Sequence, residues 1–233
     1  IMDINQPSER LKSFWGKVDQ KHINHIVTHV KGKRVLDMGA GYGTTAGFLH
    51  KNGYNATAFD LDDDSIAVSK ILNPGLDYQK LNAENLPFKD GEFDTLILRD
   101  ALHHFIGEAD FSKIQSEMNR ILKPGGNIIF FDPNVNKLIL TLRKLSKHDD
   151  EETTYEEALA VFKDMNYDIV HKSYNTLFSL PLSGGYVGVN FIPNIPFLYT
   201  IILKLESFFE LLVQNVIGRH LAWRYVIVGR KSL

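Results

Sequence analysis

A glycine-rich turn that follows an apolar run is the feature that most constrains the fold of this chain. In the stretch VLDMGAGYGTTAGFL, which begins at Val35, three glycines occupy alternate positions: Gly39, Gly41 and Gly43. Glycine concentrates where a backbone turns sharply or approaches another group closely. A buried strand that enters such a turn and continues as a helix is typical of sites for nucleotide-like ligands. The stretch therefore predicts a strand, a ligand-facing loop and a helix, in that order.

The alternation of strand and helix continues along the chain as far as residue 133. Apolar runs predict strands at 34–39, 55–61, 76–83, 93–100 and 127–133. Helical patterns lie between several of these strands, at 44–53, 62–72 and 109–122. Strands with continuous apolar centres are buried on both faces, which indicates a parallel sheet between two layers of helices.

The rest of the chain continues the same sheet with one large insertion. A helix that starts with a threonine cap is predicted at 153–166, and strands are predicted at 167–177 and 222–231. A very apolar insertion, residues 178–221, separates these two strands. It contains one long helix candidate at 196–218.

No polar or Pro/Gly-rich linker divides the chain, so we expect a single domain over residues 1–233. In this domain, residues 1–31 are expected to form an N-terminal helical cover. Residues 34–134 form the ligand-binding core, and the insertion at 178–221 is a candidate lid or dimer element.

The composition excludes several classes of site and partner. The chain has no cysteine, which rules out disulfides and thiolate metal centres and fits a reducing compartment. The N-terminal segment lacks the apolar core of a secretory signal, so we expect a cytoplasmic protein. A net charge of −2 offers no general attraction to nucleic acid. No cluster of metal ligands is visible in the sequence, and no metal is expected.

The residues around the loop argue against a nicotinamide dinucleotide. The fingerprint G-x-G-x-x-G would place glycine at position 44, where this chain has Thr44. Asp37, just ahead of the loop, would repel a pyrophosphate and suits a cationic ligand better.

Two further polar residues suit the rest of a nucleoside. Asp60 ends the second predicted strand, where a carboxylate can accept hydrogen bonds from both ribose hydroxyls. The alternative reading of the run DLDDD is a solvated acidic start of a helix. Asn82 follows the third strand, where its side-chain oxygen can accept from the exocyclic amine of an adenine.

Taken together, these segments resemble class I S-adenosylmethionine-dependent methyltransferases, in the broad group called methyltransferase type 11. The resemblance rests on VLDMGAGYG, AFDLDDDSI, LNAENLPFKDGEFDTLIL, ALHHF and LKPGGNIIFFDPN, which cover residues 34–134 in the family's order and spacing. It implies a three-layer Rossmann-like α/β fold with a mostly parallel seven-stranded sheet and an antiparallel last strand. It also implies S-adenosyl-L-methionine as the methyl donor and S-adenosyl-L-homocysteine as a product.

The resemblance also implies roles for residues at the start of the core. Asp37 and the backbone of Gly39, Ala40 and Gly41 correspond to the family's site for the methionine moiety. Asp60 corresponds to the acid that binds the ribose.

The adenine side is implied in the same way. Leu61 flanks the adenine in this comparison, and Ala83 and Glu84 correspond to the turn beside it. Many members carry Asp where this chain has Asn82, which keeps an acceptor but loses the charge. Arg99 ends the fourth strand against the methionine part, where relatives often carry a smaller residue.

Candidates for a catalytic base follow the fourth strand. In the family's reaction a nucleophile attacks the methyl carbon and a neutral thioether leaves, so the protein mainly orients the reactants. A hydroxyl or amine acceptor would also need a general base. His103, His104 and Asp100 lie at the sheet edge where such a base would act. Packing or helix capping is the alternative role for the two histidines.

The apolar insertion leaves three structural roles open. The helix candidate at 196–218 approaches the length of a membrane span, but Lys204, Glu206 and Glu210 make a transmembrane position costly. It can form a lid over an apolar acceptor pocket, a homodimer contact or an interfacial membrane helix. We favour the lid and place the dimer second. The basic stretch 137–148 adds weight to a membrane surface or an anionic acceptor.

We therefore expect a methyltransferase that acts on a small-molecule or lipid-like acceptor with a sizeable apolar part. An RNA-modifying methyltransferase is the alternative among enzymes, and the acidic charge balance argues against it. A non-catalytic protein that binds S-adenosylmethionine is the alternative from another class. An NAD(P)-dependent oxidoreductase ranks third.

Overall fold

A seven-stranded sheet runs through the middle of the structure. The computed structural model describes residues 12–107, 110–135, 153–183, 191–213 and 217–233. The strands are β1 Arg34–Met38, β2 Asn55–Asp60, β3 Asp77–Lys80, β4 Phe93–Arg99, β5 Leu122–Pro133, β6 Tyr167–Asn175 and β7 Arg224–Lys231. Their order across the sheet is β3-β2-β1-β4-β5-β7-β6. Strand β7 is antiparallel to both neighbours and the other pairs are parallel, as the resemblance implies.

Helices cover both faces of this sheet. They are α1 Phe14–Val27, α2 Thr44–Lys51, α3 Asp63–Leu72, α4 Leu102–Gly107, α5 Phe111–Ile121, α6 Tyr155–Asp164, α7 Ser179–Leu182, α8 Pro196–Leu212 and α9 Gly218–Leu221. Buried residues of α1 and α2 pack on one face, and those of α4, α5 and α6 pack on the other. This arrangement confirms the predicted three-layer α/β fold.

The continuous apolar runs follow from this double cover. Successive residues of a strand point to opposite faces of a sheet, so a strand buried on both sides needs apolar residues at every position. In β5, Ile128 and Phe130 belong to one core cluster, whereas Ile129 and Phe131 belong to the other.

Local signals define the starts of several helices. Thr154 and Glu157 form a reciprocal capping box at the start of α6, where the sequence predicts a helix. The Asp62 side chain accepts a hydrogen bond from the backbone N–H of Ser65 at the start of α3. Such caps satisfy N–H groups that have no partner inside the helix.

Two predicted strands differ from the observed ones by more than two residues at one end. Strand β5 begins at Leu122 rather than at residue 127, because Leu122 pairs with Phe93 of β4 across an irregularity in the register. Pairing with the neighbouring strand β4 keeps the Pro-Gly-Gly segment in β5, although this segment resembles a loop in the sequence. Strand β3 is shorter than predicted and ends at Lys80, which pairs with Asp60, the last residue of β2.

The insertion is divided rather than formed by one helix. Helix α8 ends at Leu212, where the prediction extends to residue 218, and the short α7 and α9 lie on either side of it in the chain. The basic stretch 137–148 lies outside the described residues. Among the helices that the structure describes, none combines the length and apolar character needed to cross a bilayer.

Candidate active site

The candidate site is a cleft at the edge where the parallel strands end. Strands β1 and β4 are neighbours here, and the chain order reverses between them, because β2 and β3 lie on one side and β5 lies on the other. Ligands of open α/β sheets bind at such a switch point. The cleft has a volume of about 220 Å³ and is lined by Trp15, Asp19, Asp37, Gly39, Ala40, Gly41, Tyr42, Thr44, Thr45, Arg99 and Asp100.

The glycine-rich loop between β1 and α2 forms one wall of this cleft. Gly39 has a φ of +65°, and a Cβ built on it would lie 2.9 Å from the Cβ of Ala101. Gly41 has a φ of +52°, and a Cβ on it would meet nothing within 4 Å. Gly39 is therefore required by both conformation and packing, whereas Gly41 borders open space where a ligand can approach the backbone.

Asp60 holds the loop against β2. Its Oδ2 accepts a hydrogen bond from the backbone N–H of Gly41 at 2.8 Å, and its Oδ1 accepts from Leu61 at 2.8 Å and Asp62 at 3.1 Å. A carboxylate has about four acceptor positions, so capacity for a ribose hydroxyl remains. Tyr78 supports the same loop from β3, because its hydroxyl donates to the Gly41 carbonyl at 2.6 Å. The sequence motifs contain no signal for this tyrosine.

Asp37 places a buried carboxyl group on the cleft. Its Oδ2 accepts a hydrogen bond from the backbone N–H of Ala46 at 3.1 Å. Burial raises the pKa of Asp37 to about 7, although the hydrogen bond from Ala46 and the nearby charge of Arg99 act in the opposite direction. A cation bound at this position would stabilise the ionised carboxylate, which fits the ammonium group of an amino-acid ligand.

Arg99 faces the cleft and is held in place by helix α1. Its guanidinium forms an ion pair with Asp19, and its Nη1 donates to the hydroxyl of Thr45 at 3.3 Å. Its buried Nε has no hydrogen-bond partner among the described residues. A carboxylate in the cleft would supply that acceptor. Asp37 and Arg99 together therefore fit the two charged ends of a methionine moiety.

Asp19 is a site residue that the sequence analysis misses. It lies on α1, and its pairing with Arg99 joins segments that are far apart in the chain. The structure thus explains how the larger side chain of Arg99 is accommodated, since the N-terminal helix provides a carboxylate for it.

The residues predicted on the adenine side lie outside the lining of this cleft. They are Leu61, Asn82, Ala83 and Glu84. Asn82 Oδ1 accepts a hydrogen bond from the backbone N–H of Glu84 at 2.9 Å, so its oxygen shapes the turn after β3. Ala83 is buried, whereas Leu61 is largely exposed. Their contact with an adenine stays a prediction.

A histidine and a buried aspartate form a pair at the ends of β4 and β5. The Nδ1 of His103 lies 2.7 Å from Oδ1 of Asp132, which is fully buried. Burial raises the pKa of Asp132, and its hydrogen bond with His103 opposes that shift. With Asp132 ionised, His103 donates from Nδ1 and keeps a lone pair on Nε2. The signal for Asp132 in the sequence is a polar residue at the end of the buried run NIIFFDP.

The other two base candidates have different surroundings. Asp100 has a φ of +54°, and one of its carboxylate oxygens lies 2.7 Å from Nη1 of Arg224. Its other oxygen lies 3.9 Å from Nε of Arg99, so its carboxylate links two arginines. His104 is exposed, with its ring centroid 4.1 Å from that of His103. The catalytic role of each of the three predicted residues stays a prediction.

The strand order, the glycine loop and the acid at the end of β2 agree with the resemblance to class I methyltransferases. Residues 36–130 match the family model described as "Methyltransferase domain". The fold resembles the crystal structure of an S-adenosylmethionine-dependent methyltransferase from Archaeoglobus fulgidus, with a TM-score of 0.67 and 15% identity over 92% of this chain and 94% of that one. Residues 36–130 therefore match a methyltransferase domain, and the fold resembles that of a solved S-adenosylmethionine-dependent methyltransferase.

Curated relatives match part of this chain. A phthiotriol/phenolphthiotriol dimycocerosates methyltransferase of Mycobacterium ulcerans is 36% identical over 123 residues, which are 49% of this chain and 44% of that protein. A glycine/sarcosine/dimethylglycine N-methyltransferase of Actinopolyspora halophila is 32% identical over 56% of this chain and 22% of that protein. The chain thus spans less than half the length of these relatives.

Proposed function

We propose that the protein transfers the methyl group of S-adenosylmethionine to a lipid-like acceptor with an extended apolar part. The observation that carries the acceptor class is the orientation of α8, which turns Glu206 and Glu210 to the protein and exposes most of its large apolar side chains. The names of the mycobacterial relatives give independent support for an acceptor of this kind.

Glu206 fixes the inner side of α8. Its Oε1 accepts hydrogen bonds from the backbone N–H groups of Leu177, Phe178 and Ser179 at 2.7–3.0 Å. Its Oε2 accepts from the Ser179 hydroxyl and from Lys21 Nζ, both at 2.7 Å. Burial alone would raise the pKa of Glu206, but Lys21 and the hydrogen bonds outweigh it and lower the pKa. The ionised side chain therefore ties α8 to α1 and to the segment after β6.

Glu210 adds a second tie one turn later. It accepts from the backbone N–H of Thr176 at 2.6 Å and from Lys21 Nζ at 2.9 Å. With these two carboxylates turned inward, the outer side is mostly apolar, and Thr200, Lys204 and Ser207 are its exposed polar residues. Its exposed large side chains are Phe197, Ile201, Leu205, Phe208, Phe209, Leu211 and Leu212. A surface of this size and character marks a site for an apolar partner, and a helix lying in the membrane interface would place the enzyme next to a lipid acceptor.

In the proposed reaction, residues of this chain bind the cofactor, orient the reactants and accept a proton. S-adenosylmethionine, when bound, supplies an activated methyl group. Asp37 and Arg99 hold the charged ends of the methionine moiety, and Asp60 holds the ribose. His103 Nε2 accepts the proton of the acceptor hydroxyl, and Asp132 keeps the imidazole in the required tautomer. Proximity supplies the main part of the acceleration, because the leaving group is a neutral thioether.

Incubation of the purified protein with methyl-labelled S-adenosylmethionine tests the acceptor class. Three acceptors are compared: a long-chain lipid alcohol or phenol in vesicles, glycine with sarcosine, and transfer RNA. We expect label in the lipid fraction alone. Label in the amines or in the RNA would contradict the proposal. Retention of S-adenosylhomocysteine with no label in any acceptor, including a total lipid extract, would favour a non-catalytic binding protein.

Vesicle flotation tests the role of α8 with a matched pair of variants. Phe208 lies on the outer face of α8 and is 56% exposed, and Ile71 lies on α3 and is 68% exposed. Burial of a phenylalanine side chain stabilises by about 1.5–3 kcal/mol, so Phe208→Glu is expected to weaken vesicle binding by roughly 10- to 150-fold. Ile71→Glu is expected to bind as the wild type does. Equal effects of the two substitutions would show that α8 does not contact the bilayer.

A further inference from the structure

Three histidines converge away from the cleft, between the end of α1 and strand β6. His25 lies in α1 and His29 follows four residues later, so the two side chains share one side of the helix end. His171 lies on β6, and each of the three residues offers a ligand atom within 4.8 Å of the others. The ring centroids of His29 and His171 are 4.1 Å apart, those of His25 and His29 are 5.3 Å apart, and those of His25 and His171 are 5.9 Å apart.

One ring nitrogen of the cluster has no protein partner among the described residues. Nε2 of His29 is buried and has no hydrogen-bond partner among the described residues. Nε2 of His171 and Nε2 of His25 lie 3.1 Å and 3.4 Å from the same hydroxyl, that of Ser173. This hydroxyl can donate to one of these nitrogens and accept from the N–H of the other, so both can be satisfied, whereas Nε2 of His29 has no such partner in the described part of the chain. Buried polar atoms normally have partners, so the orphaned Nε2 of His29 points to a missing ligand.

The protonation state of the cluster suits a cation. Burial lowers the pKa of His25 and of His29 to about 4, and repulsion among the three rings contributes to both shifts. Burial also lowers the pKa of His171. Neutral imidazole is the form that coordinates metals.

We propose that His25, His29 and His171 bind a divalent transition-metal ion, with Zn²⁺ as the best match and water as the fourth ligand. A Zn–N distance of about 2.0–2.1 Å implies nitrogen atoms about 3.3 Å apart in a tetrahedral site, and the ligand atoms of the three histidines lie within 4.8 Å of one another. Three nitrogen ligands without carboxylates exclude Mg²⁺ and Ca²⁺ as the preferred ions.

The position of this three-histidine site points to a structural role. The ion would join α1 to β6, and α1 also carries Asp19, which pairs with Arg99 in the cleft. The site would therefore hold the N-terminal helix in the position that the cleft requires. This inference does not depend on the identity of the methyl acceptor.

Metal analysis of the protein without a polyhistidine tag tests the proposal. The sample is treated with EDTA, dialysed and loaded with Zn²⁺, and the bound metal is counted by mass spectrometry. We expect one ion per chain, an X-ray absorption spectrum with three imidazole ligands, and a higher unfolding temperature with Zn²⁺. A wild-type protein that binds no stoichiometric Zn²⁺, or binds it through oxygen ligands, would overturn the proposal without the need for any variant.

Substitutions then assign the ligands. Loss of an outer partner of a metal ligand weakens affinity by about 10- to 100-fold, so His29→Ala and His171→Ala are each expected to weaken Zn²⁺ binding at least tenfold. His220→Ala, at an exposed histidine of α9, is the matched control and is expected to bind as the wild type does. Circular dichroism confirms folding of each variant. Unchanged affinity in the two folded cluster variants would refute the assignment.

Discussion

The contribution of the charged side of α8 to stability can be tested by replacing Glu206 with glutamine. The substitution keeps the shape of the side chain but removes its charge and turns an acceptor into an NH₂ donor. If the remaining oxygen stays with the three backbone N–H groups, the new amide faces Lys21 Nζ and the Ser179 hydroxyl. Two hydrogen bonds to a charged acceptor are lost, each contributing about 1.5–3 kcal/mol. Breaking a buried ion pair costs about 3–5 kcal/mol, and we expect a loss of this size.

Guanidinium unfolding monitored by circular dichroism measures this loss as a difference in the free energy of unfolding at pH 7. The pKa of Glu206 lies below its ordinary value, so its contribution is fully present at pH 7 and is lost as the pH falls through the pKa of the folded state. Glu156→Gln is the matched control, because Glu156 forms an exposed pair with Arg219 at 2.6 Å. An exposed pair contributes about 0–1 kcal/mol. If Glu206→Gln costs no more than this control, α8 is not held by its charged side.

Three further predictions concern the candidate active site. Asp60→Ala is expected to weaken S-adenosylmethionine binding by roughly 10- to 150-fold through loss of ribose hydrogen bonds. Asp64→Ala, at an exposed position of α3, is the control. Equal affinities of the two variants by calorimetry would reject the ribose role. Asp132→Asn is expected to lower kcat at least 100-fold and to shift the pH profile set by His103 while cofactor affinity is unchanged; an unaltered profile would remove this pair from the mechanism. Because the pKa of Asp37 is raised to about 7, the wild type without cofactor loses stability as the pH rises from 4 to 7. Asp37→Asn has no such loss, so its free energy of unfolding relative to wild type is expected to rise by up to about 4 kcal/mol over that range. A difference that does not change with pH would contradict the burial argument.

The parts of the fold that the sequence predicts correctly depend on short-range patterns. The apolar runs around β1, β2 and β4 and the capping box at Thr154 each involve residues close together in the chain. The early start of β5 at Leu122 depends on a partner strand, and a local reading of Pro124-Gly125-Gly126 gives a loop.

The site shows the same division. Asp37, Gly41 and Asp60 are recognisable from their positions next to predicted strands, and the structure joins Asp60 to Gly41 directly. The pairing of Arg99 with Asp19 has no pattern in the sequence, because its members come from distant elements.

The orientation of α8 could not be obtained from its composition. A helix with many apolar residues and a few charges normally buries the apolar side. Here Glu206 meets backbone N–H groups after β6 and the ammonium of Lys21, and these partners stabilise the inward position of the charge. The lid and the dimer contact expected from the sequence stay predictions.

The sequence by itself determined the order of strands and helices, the three-layer class of the fold and the type of cofactor. The order of elements and the fold class follow from periodicity and turn chemistry, whereas the cofactor is implied by the resemblance of the motifs to class I methyltransferases. Only the tertiary structure decided which distant side chains meet: Asp132 with His103, and His171 with His25 and His29. The physical reason is that hydrogen bonds and ion coordination act over a few ångströms, whereas a linear pattern carries no distance between remote segments.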